Sequence, residues 1–147
     1  MYRVILLLAV ACYGLALYLP IYAESTFQGV YALLLGWAVG ANDWASAVSW
    51  LGNVFFIIGL VLILKRKKPR PMGALICSIL AIVTGLSVLG AGHAFTGADS
   101  SKTIISFSMG NGFYAWIASF VLLGLAAYMK WKTLQSKPVD DSKSTGG

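Results

Sequence analysis

The chain has 147 residues, 59% of them apolar and only 11% charged, with a formal net charge of +6. Soluble domains are about a quarter charged, which argues against a water-soluble globular protein. Its basic residues flank apolar blocks, so they report topology and not a nucleic-acid partner. Two cysteines without CxxC spacing, Cys12 and Cys77, point to neither a disulfide framework nor a redox pair.

The first apolar block runs from Val4 to Leu19 and is closed by Pro20, which stops helices. Arg3 before it and Ala9-Val10-Ala11-Cys12 within it resemble a signal peptide or lipoprotein box. The apolar run continues past Cys12, however, and no small-x-small site follows at Pro20 to Ala23. A retained transmembrane helix over about 4–19 is expected. The next block holds no Lys or Arg from Phe27 to Leu64, and Asp43 is its single acid. It is long for one untilted crossing and short for two crossings with a turn, given about 20 residues for each. The cluster Lys65-Arg66-Lys67-Lys68-Pro69-Arg70-Pro71 follows, then apolar blocks Met72 to Gly92 and Phe113 to Met129. Lys130, Trp131 and Lys132 close the last block, and the polar segment 133–147 is expected to be a disordered cytoplasmic tail.

Charge parity chooses between one and two crossings in Phe27–Leu64. With one, Arg3, the Lys65–Arg70 cluster, Lys130, Lys132, Lys137 and Lys143 share a side, and of the 11 basic residues only Lys102 lies opposite. That arrangement satisfies the positive-inside rule. The expected fold is therefore all-α. A single membrane domain over 1–132 forms a four-helix transmembrane bundle with spans about 4–19, 46–64, 72–92 and 113–129. An additional helix, about 27–40, is interfacial or re-entrant on the outer side, because an apolar stretch of ~10–14 residues is more often one of those than a crossing. Both termini are cytoplasmic, and the expected location is a bacterial inner membrane.

Small residues recur every four positions at Ala32, Gly36 and Gly40, and pairs follow at Ala81 and Gly85 and at Ala115 and Ser119. Such spacing lets helix backbones approach closely. A docking face for a partner is one reading; packing against the protein's own spans is the plainer one. Asp43 stands beside Asn42 and Trp44, with Trp37 and Trp50 nearby. It can bind a cationic group, although a helix N-cap is the simpler role. His93 is the only histidine, and no HxxxH, HExxH or CxxC pattern offers a metal site. The spans hold no ionisable group except at their ends, which disfavours ion-coupled transport. Thr84 and Ser87 are expected to bond to backbone or a neighbouring helix. Tyr2, Tyr128 and Trp131 read as an inner aromatic belt; Tyr18, Tyr22, Trp44, Trp50, Tyr114 and Trp116 read as an outer one.

This plan of four spans, structured outer segments and no catalytic constellation resembles, in architecture alone, that of membrane immunity proteins that neutralise pore-forming toxins. No motif carries the resemblance, and it transfers no residue. The expected function is non-enzymatic protein binding at the outer face or within the membrane. Trp37, Asp43, Trp44 and Phe107 are the candidate partner-binding residues; Ala32, Gly36, Gly40, Ala81 and Gly85 are candidates for helix packing. No catalytic, cofactor or metal residue is expected. The expected partners are membrane lipid, a toxin or a subunit of a membrane complex, and a second copy of the chain, with no nucleic acid. An accessory subunit of a transport or envelope-assembly complex, or a small oligomeric pore or permease, is the alternative.

Overall fold

A computed structural model describes residues 1–21, 28–39, 44–65, 69–90, 94–96, 102–104 and 109–136. These form α1 (Tyr2–Tyr18), α2 (Gly29–Val39), α3 (Trp44–Leu64), α4 (Pro71–Gly90), β1 (Ala94–Thr96), β2 (Lys102–Ile104) and α5 (Asn111–Gln135). The strands make one short antiparallel ribbon, pairing Ala94 with Ile104 and Thr96 with Lys102. Among the described residues the remaining regular structure is helical, apart from an isolated antiparallel bridge between Pro20 and Gln28.

Three helices, α3, α4 and α5, are long and apolar enough to cross a membrane. At 20 to 25 residues they reach ~30 Å or more at 1.5 Å per residue, which matches the hydrocarbon thickness. The apolar α1 has 17 residues, or ~25 Å. Punctuation follows local chemistry. Leu19 leaves α1 in extended conformation (φ −79°, ψ 153°) ahead of Pro20. Pro71 opens α4 at the first helical position, where its missing N–H leaves nothing unpaired.

The long helices alternate in direction. The start of α5 is bonded to the end of α1, since the Gly110 and Gly112 amides donate to the Ile21 and Pro20 carbonyls at 2.6 and 3.0 Å. At the other end of α5, the Lys130 ammonium donates to the Ile63 carbonyl at 2.6 Å and lies 5.3 Å from the Tyr2 ring centroid. The N-terminus of α1, the C-terminus of α3, the N-terminus of α4 and the C-terminus of α5 therefore share one end. Arg3, Lys65, Arg70, Lys130 and Lys132 all belong to it; it is the basic end.

Around the bundle α1 packs on α5, α5 on α4 and α4 on α3, with α2 laid against α3 and α1. The core alternates large and small residues. Phe120, fully buried, fills a slot over Gly52 and Gly85; a methyl group at either would come within 3.3 Å of its ring. Leu123 and Cys77 close over Gly59 in the same way. Between α4 and α5 the buried Ser78 hydroxyl donates to the Phe120 carbonyl at 2.7 Å, a cross-helix bond that an apolar surrounding favours. The Thr84 and Ser87 hydroxyls donate to carbonyls of their own helix, at Leu80 and Thr84.

Candidate functional site

The aromatic residues divide into an interior group and an exposed group. In the interior, the Asn53 amide oxygen, 7% exposed, accepts from the Tyr13 hydroxyl at 2.9 Å and from the Trp116 indole N–H at 2.8 Å. Tyr13 stacks on Phe56 with centroids 4.4 Å apart and planes 8° apart. Phe56 meets Phe120 at 5.6 Å, and Phe120 meets Trp116 edge-on at 4.9 Å. These contacts close a ring that joins α1, α3 and α5 around one amide. Asn53 lies near the middle of the 21-residue α3, ~15 Å from either end. An amide buried at that depth persists because its acceptor is filled. The ring holds shape: the group at its centre is neutral.

Besides Tyr18, Tyr114 and Tyr128, an exposed group stands on α2 and at the start of α3, at the end opposite the basic one. Gly29 seats α2 on α1, donating its amide to the Leu19 carbonyl at 3.1 Å, and any side chain there would strike the Ala16 carbonyl. Trp50 of α3 holds the next turns, its indole N–H donating to the Leu33 carbonyl at 2.8 Å. The Trp50 ring lies over Gly36, where an added methyl carbon would sit 2.8 Å from it. With one side pinned, α2 exposes Tyr31, Leu34, Leu35 and Trp37 on the other, and Trp44 is exposed at the head of α3. Trp37 is 64% and Trp44 72% accessible.

Of the residues singled out from the sequence, Trp37 near the end of α2 and Trp44 at the head of α3 are both exposed, while Asp43 and Phe107 lie outside the described residues. Gly36 faces an indole ring, Ala32 is half-buried, and Gly40 lies outside the described residues. Ala81 is fully buried, and Gly85 is buried beneath Phe120, Ile117 and Trp116. Ser119 is fully buried and donates to the Trp116 carbonyl at 2.6 Å; Ala115 is half-buried. Glu24, His93, Asp99 and the tail from 137 also lie outside the described residues.

Two belt assignments differ. Trp50 and Trp116 are half-buried and spend their N–H groups inside the protein, whereas Tyr18 and Tyr114 face outward. Tyr13 and Asn53 belong to no motif or belt in the sequence. The available signal was an amide in the middle of the apolar run of α3, where an uncompensated polar group is costly.

Among the described residues no group of three or more His, Cys, Asp or Glu could hold a metal, and Cys12 and Cys77 are free thiols. No family model, no curated protein and no solved structure matches this chain.

Proposed function

We propose that this chain is a four-span membrane protein, with α1, α3, α4 and α5 as its spans and both termini cytoplasmic, that acts by binding a protein partner at its outer face. The observation that carries the reading is the outward presentation of Trp37 from α2, a helix fixed by Gly29 and Trp50, and of Trp44 from the head of α3. Binding energy concentrates in aromatic anchors held rigid before contact. The alternating direction of the long helices supports the topology, since it gathers Arg3, Lys65, Arg70, Lys130 and Lys132 at one end as cytoplasmic ends require. It leaves α2 at the outer side as the non-spanning helix.

The interior supports a binder over a conduit. Phe56, Ile63, Phe120 and Leu123 are at most 2% exposed, so the bundle axis is filled by side chains. Within this class, an immunity protein that shields its host from a pore-forming toxin is the specific function proposed, on the architectural resemblance alone.

The test is a challenge assay in cells carrying variants at matched membrane levels. Trp37→Ala, Trp44→Ala and Gly36→Leu, the last of which pushes α2 off Trp50, should each weaken protection. Replacing Asp43, His93 and Asp99 by Asn, Gln and Asn should leave most of it. A dead polar variant beside healthy aromatic variants would replace binding with a catalytic or ion-handling site. If no toxin challenge distinguishes the wild type from a null strain, while a membrane complex fails to assemble without the chain, the accessory-subunit reading takes its place.

A further inference from the structure

We propose that the basic end binds the headgroups of anionic phospholipids, so that the bundle gathers acidic lipid around itself in the leaflet that this end faces. The inference rests on the four-span reading. Positive-inside sorting requires cations on one side, but it does not dictate what neutralises them once the protein is in place. Here little does: on the four-span reading ten of the 11 basic residues fall on this side, against only Asp140 and Asp141 of the acids. Lys130 is held by the Ile63 carbonyl and the Tyr2 ring, and Lys132 lies 5.7 Å from the Tyr128 ring centroid. Carbonyls and rings orient an ammonium without cancelling its charge. Arg3, Lys65, Arg70 and Lys132 are exposed, and Arg66, Lys67 and Lys68 add three more cations to the α3–α4 connection.

The placement selects a lipid over a free anion. Each exposed cation stands within, or directly beside the end of, a helix that carries an exposed apolar strip. Lys65 follows Leu64 and Val61 on α3, and Arg70 precedes Met72 and Ile76 on α4. On α1 Arg3 precedes Val4 and Leu7, and on α5 Lys132 follows Leu125 and Tyr128. A charged group directly above an apolar strip complements an amphiphile with a phosphate above acyl chains, and near a membrane surface each such cation attracts anionic lipid appreciably.

The full chain would be reconstituted into phosphatidylcholine vesicles containing a trace of spin-labelled phosphatidylglycerol or spin-labelled phosphatidylcholine of the same chain length. The measured quantity is the motionally restricted fraction of each. Phosphatidylglycerol should be restricted several-fold more strongly in low salt, and the ratio should fall toward one at 1 M salt, where the Debye length is about 3 Å. The double variant Lys65→Gln, Arg70→Gln should lose up to about fivefold of the preference for each charge removed. It keeps Arg66, Lys67 and Lys68 to direct insertion, and the wild-type salt series needs no variant. Equal restriction of the two lipids by the wild type, or an undiminished preference in the variant, would overturn the proposal. So would loss of the preference on adding glycerol phosphate at constant ionic strength, which would assign the charges to a soluble anion. A chain that fails to incorporate into vesicles contradicts the membrane reading itself, a separate result.

Discussion

The Tyr13 hydroxyl and the Asn53 amide oxygen meet at 2.9 Å across the gap between α1 and α3, whose contact is made by side chains. Trp116 of α5 shares that oxygen at 2.8 Å, so a single amide ties three helices. Asn53→Leu leaves two donors without an acceptor in an apolar interior, and the expected cost is about 1–3 kcal/mol for each group stranded. Tyr13→Phe keeps the Phe56 stack and the Trp116 bond, so about 0.6 kcal/mol is expected, the average for a hydrogen bond between membrane helices. Denaturant unfolding in mixed micelles measures both. Equal costs would show that the amide is not the shared centre.

The joint between α1 and α5 admits no side chain. A methyl carbon at Gly110 would lie 2.5 Å from the Pro20 carbonyl oxygen, and one at Gly112 would lie 2.7 Å from that of Leu19. Both obstacles are main chain, which cannot rotate aside. Gly112→Ala should therefore lower stability by more than about 1 kcal/mol, a typical cost for a single substitution. Thr84→Val, which removes a bond within one helix, should stay within about 0.5 kcal/mol. Thermal unfolding of the two purified variants side by side is the check, and a reversed order would contradict the clasp.

Lys130 caps the C-terminus of α3 from another helix, its ammonium 2.6 Å from the Ile63 carbonyl. A cation there also favours the negative end of the helix dipole, by about 0.3–1 kcal/mol. Lys130→Met should cost that much and loosen the last turn of α3, raising amide exchange at Leu64 and Lys65. Exchange unchanged from wild type would remove the cap from the account.

What was legible in the sequence was whatever composition and punctuation alone determine. Pro20 and Pro71 mark helix ends, and apolar blocks give helices long enough to span, because helix length against bilayer thickness is a local property. The pairing of Asn53 with Tyr13 and Trp116 joins residues 40 and 63 positions apart, and no local pattern encodes it. Trp50 and Trp116 show the same limit. An indole in an apolar block suits a belt or an interior equally, and its direction depends on which acceptor comes within reach. For Trp50 that acceptor is the Leu33 carbonyl, 17 positions away. Gly36 packs against the protein's own α3, but what lies over it is the Trp50 ring and not a backbone, since spacing reveals a small residue but not what fills the space above it. Trp37 and Trp44 stand out in the sequence by type and neighbourhood alone, and the exposure of Trp37 depends on how Gly29 and Trp50 seat α2.

The central claim is that the chain from α1 to α3 crosses the membrane only at α1 and α3, leaving α2 with Trp37, and Trp44 at the head of α3, on the outer side. Reporter fusions that are active on only one side of the membrane test this most directly, placed after Pro71, after Lys102 and at Gly147. The account predicts a cytoplasmic signal after Pro71 and at Gly147 and an external signal after Lys102. An external signal after Pro71 would mean that residues 27–64 cross twice, and both the four-span topology and the outer placement of Trp37 and Trp44 would be wrong.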